Sequence, residues 1–233
     1  MMTKALIVVT NTARFEGINR ATGVWLSEAT HFHAVMSDNG IDVDYMSPNG
    51  GYVPLDPGSL ATDAMDDTNW QFYGDNDYRE RALARSLRPD QVNPDDYDLI
   101  YYAGGHGVMW DFPQSTAVAA IAQSIYKRGG LVTAVCHGVV GLLAIKDADG
   151  DNLIVGKHLT GFTNEEEALN QLTDAVPFLA EDALKDAGAV YTKADAYTEN
   201  VVVDGQLITG QNPQSAHGVG IAAVRALKGV QVD

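Results

Sequence analysis

Short, apolar, β-branched runs alternate with helix-like segments along most of this chain, and this alternation constrains the fold more than any other feature of the sequence. The strand-like runs occupy residues 5–10, 99–103 and 131–135, and helix patterns at residues 22–38 and 113–128 separate them. Near-continuous apolar strands are typical of parallel sheets that helices cover on both faces. The order of the segments therefore predicts an α/β fold with a mostly parallel central sheet.

The remaining segments complete a single domain predicted over residues 1–233. Residues 49–97 are rich in Asp, Gly, Asn and Pro, with helical character around residues 78–87, so they are predicted to form a small cap or insertion. The other predicted elements are a strand near the sheet edge, an extended segment, a helix, a hairpin and a last helix, at residues 41–46, 153–162, 165–172, 201–209 and 213–227 in that order.

The composition argues against several classes of partner. Hydrophobic residues make up 45% of the chain and charged residues 20%, as in soluble globular proteins. The net charge of −16 argues against nonspecific binding to nucleic acid or to an anionic membrane. The N-terminal apolar run is too short for a signal peptide, and no later run reaches the length of a membrane span. A single cysteine excludes an intrachain disulfide and suits a reducing compartment, so a cytoplasmic location is expected.

That single cysteine, Cys136, lies where a nucleophile is expected. It falls at the turn between the strand-like run 131–135 and a helix-like stretch that follows. Such a junction exposes a side chain at the carboxyl edge of a sheet. The helix dipole and the free N–H groups there are expected to favour a thiolate, and Gly138 allows a tight turn beside the sulfur. A lone cysteine can also be an inert core residue, but the adjacent His137 favours the nucleophile.

A carboxylate lies on the apolar face of the first helix. Glu28 falls on the buried stripe that helical spacing assigns to Trp25, Ala29, Phe32 and Met36. Burial would raise the pKa of this carboxyl towards neutrality, which suits proton transfer. The N-terminal turns of this helix are expected at the same sheet edge as Cys136. The alternative is that Glu28 reaches solvent or pairs with a buried base.

Further groups near the predicted junction can take part in chemistry. His137 can activate the cysteine or act as an acid and base, and such a histidine is usually oriented by a carboxylate. Residues 165–167 are three consecutive glutamates, among which spacing alone does not choose, and a solvated helix face is the alternative interpretation.

A glycine-rich loop at residues 104–107 follows the strand-like run 99–103. Glycines at this position allow backbone N–H groups to approach a developing oxyanion. His106 is interpreted as a hydrogen-bonded structural residue, with a ligand or a gate as the alternative. Trp110 is predicted to lie at the rim of the site, with packing as its alternative role. No group of His, Cys, Asp and Glu has a convincing metal spacing, so no metal is expected.

Several motifs spread from the first helix to the last carry a family resemblance. They include Thr-Gly-Val-Trp-Leu-Ser-Glu-Ala, Ala-Gly-Gly-His-Gly and Ala-Val-Cys-His-Gly, and together they occupy residues 22–29, 46–51, 55–57, 103–107, 110–113, 134–138, 159–167 and 207–213. In combination these motifs resemble the ThiJ/PfpI superfamily, to which the parkinsonism-associated protein belongs. The closer likeness is to its chaperone-like branch with glutathione-independent glyoxalase (glyoxalase III) activity.

The resemblance implies a flavodoxin-like three-layer sandwich of the class I glutamine amidotransferase type. It also implies that Cys136 is the nucleophile, that Glu28 handles protons and that Glu167 orients His137. The backbone amides of Gly105 and His137 would donate to the oxyanion. Residues 60–80 depart from the family pattern.

The leading functional hypothesis is a cofactor-free conversion of a 2-oxoaldehyde, such as methylglyoxal, to a 2-hydroxy acid. In it Cys136 forms a hemithioacetal, Glu28 moves the proton from C1 to C2, and water hydrolyses the thioester with His137 as the base. The alternatives are a cysteine amidase or peptidase with a Cys136–His137–Glu167 triad, and a holdase chaperone or redox-stress protein. The family resemblance also implies a homodimer.

Overall fold

The computed structural model describes residues 3–147 and 149–229, and this part of the chain contains eight β-strands and eight α-helices. The strands are β1 (Lys4–Val8), β2 (Asp42–Met46), β3 (Leu99–Tyr102), β4 (Leu131–Val135), β5 (His158–Leu159), β6 (Val190–Tyr191), β7 (Val201–Asp204) and β8 (Leu207–Gly210). The helices are α1 (Leu26–Asp38), α2 (Asp67–Gly74), α3 (Asn76–Tyr78), α4 (Val108–Asp111), α5 (Thr116–Lys127), α6 (Asn164–Leu169), α7 (Ala180–Asp186) and α8 (Ala216–Leu227). The termini of the predicted domain, residues 1–2 and 230–233, lie outside the described residues.

The central sheet has the strand order β2-β1-β3-β4-β8-β7. Its neighbouring strands are parallel except β7, which pairs antiparallel with β8. Strand β2 lies at one edge, as the alternation at residues 41–46 predicted, and the predicted hairpin is the β7–β8 pair. β5 and β6 form a separate small parallel sheet.

Helices cover both faces of the sheet, because the side chains of each buried strand alternate between two apolar cores. On one face, Ala5 and Ile7 of β1 pack with α1 and α8. On the other, Leu6 and Val8 pack with α5 and the segment after β4. The predicted α/β sandwich with a mostly parallel sheet is confirmed.

Several predicted boundaries are wrong, because tertiary pairing overrides local helix patterns. The first helix begins at Leu26 instead of residue 22, since Val24 forms a bridge with Leu55 and the N–H of Trp25 donates to Gly104. The helix predicted from residue 113 begins at Thr116, and only β5 is a strand within the extended segment predicted at 153–162.

The segment predicted as a cap is more regular than expected. Its helical part consists of α2, then α3 after the extended Asp75, and a π-helical turn at Arg79–Ala84, where the sequence predicted residues 78–87. Leu87 instead pairs with Met46 at the end of β2, so this segment also extends the sheet edge. None of the helices in the described ranges combines the length and apolarity needed to cross a membrane.

Candidate active site

Cys136 occupies a sharp turn at the carboxyl end of β4. Its backbone has φ 56°, a left-handed conformation that is rare for a residue with a side chain and is concentrated at functional sites. The chain continues as a 3₁₀-helical segment over Cys136–Ala144. Gly138 is required there because a Cβ atom would overlap the carbonyl oxygen of Tyr102. The predicted junction is confirmed, although the helix that follows is not an α-helix.

Glu28 lies in the first turn of α1 and is fully buried. Its Oε2 accepts a hydrogen bond of 2.6 Å from the N–H of Gly104. Burial, reinforced by the charge of Asp56, raises the pKa of Glu28 to about 8, against the interactions with Cys136 and Gly104 that act to lower it. The carboxyl is therefore mostly protonated at neutral pH, as its place on the buried stripe predicted.

Cys136 and Glu28 are in contact, as the sequence predicted. The prediction that Cys136 is a thiolate is wrong. Burial and then the neighbouring Glu28 carboxyl raise the pKa of the Cys136 thiol well above its ordinary value, although the N–H of His137 acts to lower it. Residue Cys136 is only 3% exposed, so its charged form loses most of its hydration. A proton acceptor must therefore remove the thiol proton during the reaction.

Glu167 joins two histidines through one carboxylate. Its Oε2 lies 2.7 Å from His137 Nε2, and its Oε1 lies 2.9 Å from His106 Nε2. Burial acts to raise the pKa of Glu167, but the two histidines hold it well below its ordinary value. The ionised carboxylate thus accepts from an N–H at each Nε2, and in the tautomer of His137 that carries its proton on Nε2, Nδ1 is the acceptor. That atom lies 3.4 Å from the sulfur of Cys136.

His106 is a hydrogen-bonded structural residue, as the sequence analysis interpreted it, but its partners were not predicted. Its ring lies 4.1 Å from the ring of His137, centroid to centroid, and it is almost fully buried. Burial and the neighbouring His137 lower the pKa of His106, against the attraction of Glu167. His106, His137 and Glu167 also bring potential metal-ligating atoms within 4.8 Å of one another. Because the two N–O contacts are direct hydrogen bonds, the carboxylate already serves to orient the histidines.

The acidic run divides between solvent and the interior. Glu165 is exposed, whereas Glu166 and Glu167 are buried, so the solvated-face alternative is wrong for these two. A capping box between Thr163 and Glu166 begins α6 and sets the direction of the run. The buried role of Glu166 was not predicted, because the capping-box pattern alone does not indicate burial.

The glycine-rich loop closes the site beside the sulfur. Gly105 has φ 100°, and a Cβ atom there would overlap the carbonyl oxygen of Gly23. Its neighbour Gly104 directs its N–H to Glu28. Gly105 and His137 both line the cleft, and their amides stay the predicted oxyanion donors.

These groups open into a cleft of about 570 Å³. Among the described residues, its walls include Trp25, Phe162 and Tyr197 beside Gly105, His106, Cys136 and His137. Trp110 does not belong to this lining, so its predicted rim position is wrong. It packs edge to face on Phe15 with ring centroids 5.0 Å apart, and Phe15 separates it from His106. Phe162 and Tyr197 were not singled out, although Phe162 stands inside the motif at residues 159–167.

Comparison with known proteins agrees with this arrangement. The sequence pattern of the DJ-1/PfpI family matches residues 18–226. The chain is 35% identical over 216 residues to the glutathione-independent glyoxalase HSP31 of Saccharomyces cerevisiae, an alignment that covers 89% of this chain and 90% of that protein.

Solved structures are also similar. The Rapid Encystment Protein 24 kDa of Francisella tularensis has 40% identity and a TM-score of 0.93, with 97% of this chain and 99% of that one covered. Glyoxalase III of Candida albicans has 28% identity and a TM-score of 0.88, with 97% of each chain covered. Its motifs, its fold and these similarities all agree: the chain belongs to the DJ-1/PfpI family.

Proposed function

We propose that this protein is a glutathione-independent glyoxalase that converts a 2-oxoaldehyde such as methylglyoxal to the 2-hydroxy acid. The observation that carries the proposal is the buried Glu28 carboxyl, protonated at neutral pH, in contact with the buried Cys136 thiol. The relatives named glutathione-independent glyoxalase and glyoxalase III support the same activity. The reaction uses only side chains of this protein, the aldehyde and water.

The first step joins the sulfur of Cys136 to the aldehyde carbon, C1. His137 Nδ1 takes the thiol proton, and Glu167 stabilises the resulting imidazolium. Neutral Glu28 gives its proton to the aldehyde oxygen, and the product is a hemithioacetal. The raised pKa of Glu28 thus keeps available the proton that this step consumes.

The second step moves hydrogen from C1 to C2. Glu28, now a carboxylate, removes the C1 proton to form an enediolate, and then returns a proton to C2. The proton of the C1 hydroxyl passes to the C2 oxygen, so that C1 becomes the carbonyl of a thioester. The amides of Gly105 and His137 are suited to hold the oxygen that carries negative charge.

The last step is hydrolysis of the thioester. Water adds to C1, the imidazolium of His137 returns its proton to the leaving sulfur, and Glu28 accepts the proton of the water. Both groups regain their starting forms. This assignment gives Glu28 the role of base for water, which the sequence had suggested for His137, because His137 holds the thiol proton until this point.

The test is production of lactate from methylglyoxal without glutathione. Wild type should form lactate, and Cys136→Ala should reduce kcat/KM by at least about 100-fold because no hemithioacetal can form. Equal and negligible rates in the two proteins would refute the proposal.

A hydrolase is the second candidate, since Cys136, His137 and Glu167 have the connectivity of a catalytic triad. Two matched substitutions separate the candidates. Glu28→Gln should cost a glyoxalase about 10²–10⁴ in rate. An amidase would depend far more on Glu167, so Glu167→Gln would then be the more severe change on amide and small-peptide substrates.

The chaperone, stress-response, homodimer and cytoplasmic assignments stay predictions. Burial and the raised pKa of Cys136 disfavour the redox-sensor alternative, because oxidation proceeds through an accessible thiolate. Light scattering of the purified chain tests the dimer. Suppression of client aggregation that survives Cys136→Ala would support a holdase activity separate from the enzyme.

A further inference from the structure

The two carboxyl oxygens of Glu28 have different surroundings. Oε2 accepts the N–H of Gly104, whereas the buried Oε1 has no nitrogen or oxygen within hydrogen-bond reach in residues 3–147 and 149–229. A neutral carboxyl accepts through its carbonyl oxygen and donates from its hydroxyl, so the acid proton lies on Oε1. No nitrogen or oxygen of these residues competes for that proton, and a single N–H···O bond orients the carboxyl.

The backbone of Glu28 is held by a second residue, Tyr101. The Tyr101 hydroxyl donates a hydrogen bond of 2.8 Å to the main-chain carbonyl of Glu28. A carbonyl oxygen has two lone pairs, so this bond adds to the helical one and does not replace it. Because the glutamate side chain is long and flexible, the bond at Oε2 fixes the carboxyl only where the backbone is fixed as well.

Tyr101 contacts α1 at a second point. Its ring stacks on that of Phe32, about one helical turn after Glu28, with centroids 3.7 Å apart and planes inclined by 2°. Both aromatic residues are fully buried, so water does not compete for either contact. The hydroxyl and the ring together fix the position of α1 on the sheet, and this position determines where the Glu28 carboxyl lies.

The strand that carries Tyr101 also leads to the partner of the carboxyl. Tyr101 lies in β3, between β1 and β4 at the centre of the sheet, and Gly104 follows the end of the same strand. One segment thus binds Glu28 twice, at its main-chain carbonyl and at Oε2. Burial, reinforced by the charges of Glu28 and Cys136, raises the pKa of Tyr101 well above its ordinary value. Its hydroxyl therefore stays a donor while Glu28 titrates.

We propose that Tyr101 is a positioning residue for Glu28, whose hydroxyl holds the carboxyl in the place from which it exchanges protons with the substrate. The inference rests on the proposed glyoxalase function and gives it a residue that does not belong to the described lining of the cleft. Displacement of a reacting group by about 1 Å can cost about 100-fold in rate. Loss of one bond that fixes Glu28 should therefore be visible in turnover.

The experiment compares Tyr101→Phe with Tyr102→Phe. Both tyrosines are buried in β3, and both changes keep the ring and remove only a hydroxyl. The Tyr102 hydroxyl has no hydrogen-bond partner in the described part of the chain, so its loss breaks no such bond. Tyr101→Phe should lower kcat for methylglyoxal about tenfold and change KM by less than about twofold, because the side chain acts through Glu28. Tyr102→Phe should change neither.

A titration shows whether the loss arises at Glu28. The bond from Gly104 acts to lower the pKa of Glu28, which stands at about 8. A carboxyl that moves away from that N–H should titrate about 0.5–1 pH unit higher in Tyr101→Phe, and at the wild-type value in Tyr102→Phe. Infrared spectra give this midpoint, because subtraction of the same protein with Glu28→Gln isolates the carbonyl band of the neutral carboxyl.

The outcomes separate this inference from the chemistry. If wild type forms lactate, an unchanged kcat in Tyr101→Phe, or a lower kcat with an unmoved midpoint, would overturn the inference and leave the proposed function intact. Equal losses in Tyr102→Phe would overturn it as well. The titration needs no turnover. A raised midpoint in Tyr101→Phe, together with no lactate from wild type, would therefore refute the glyoxalase and retain the positioning of Glu28, whereas an unmoved midpoint would then refute both.

Discussion

At the scale of single residues, the chemistry depends on the protonation states of two buried acidic groups, the Glu28 carboxyl and the Cys136 thiol. Glu28 and Cys136 are each buried beside the other, and burial raises the pKa of both. At neutral pH the resting site therefore holds a carboxylic acid and a thiol. The neutral carboxyl can act first as an acid and then, once ionised, as the base that isomerises the hemithioacetal.

This order of events predicts the pH profile of the enzyme. Because the acid form of Glu28 starts the reaction and its pKa is raised to about 8, kcat/KM for methylglyoxal should fall as the pH rises through about 8. Initial rates of lactate formation between about pH 6 and 9.5 measure this limb. A profile that instead rises through pH 8 would show that Glu28 begins as the base.

Glu28 should also cost the protein stability. Its pKa in the folded state lies above that of the unfolded chain, so the stability that comes from keeping it neutral is complete below about pH 4.5 and is lost as the pH rises through about 8. Glu28→Gln should therefore be more stable than wild type by about 4 kcal/mol at pH 8 and little changed at pH 4.5. Urea unfolding at both values tests this, and equal stability at pH 8 would contradict it.

Single residues differed in how far the sequence could predict them. Glu28 stood out because a carboxylate on an apolar stripe is physically costly, and Cys136 because of its strand-turn junction. Glu167 could be chosen from its two neighbours only by family resemblance, since the direction of each glutamate depends on how Thr163 begins α6. Trp110 was misplaced because an aromatic residue after a glycine loop packs equally well on Phe15 or at a rim.

At the scale of elements, the junction of β4 with the 3₁₀ segment sets the geometry of the site. The strand and the turn were predictable from a β-branched run followed by small residues. The 3₁₀ character was not, because it depends on the close approach of Gly138 and Gly141 to Tyr102 on the neighbouring strand. The early start predicted for α1 failed for a similar reason, as Val24 pairs with Leu55, far away in sequence.

This junction should tolerate no side chain at residue 138. Gly138→Ala places a Cβ atom against the carbonyl oxygen of Tyr102, so unfolding free energy should fall by about 2–3 kcal/mol and glyoxalase activity should be lost. Gly74→Ala is the control, because nothing lies within 4 Å of a Cβ atom there and the residue is helical. Thermal unfolding and lactate assays of both variants measure the contrast, and similar behaviour of the two would contradict it.

At the scale of the whole molecule, the strand order assembles the site. α1 follows β1, the glycine loop follows β3 and Cys136 follows β4, and these strands are adjacent and parallel. Parallel neighbours end at the same edge, so residues distant in the chain meet there. The alternating pattern predicted this edge. The loop after β6 and its Tyr197 could not be predicted to reach the edge, because long-range contacts, among them that of buried Glu166 with the N–H of Tyr197, bring it there.

The excess of acidic residues should make stability depend on ionic strength. The net charge is −16, so the excess carboxylates repel one another in the folded state, and salt screens that repulsion. Raising sodium chloride from about 0.02 M to 0.5 M should increase Tm by about 2–5 °C. Choline chloride is the control for specific cation binding, and an unchanged or lower Tm in both salts would contradict the expectation.

The buried negative charge behind the histidines also bears on how the reaction ends. An aldehyde enters the cleft uncharged, but the acid formed from it ionises in front of His106 and His137, which line the cleft and are backed by the ionised Glu167. Two anions in a site of low polarity repel one another far more strongly than they would in water. This repulsion favours release of the hydroxy acid, so turnover should continue while the product accumulates in the surrounding solution.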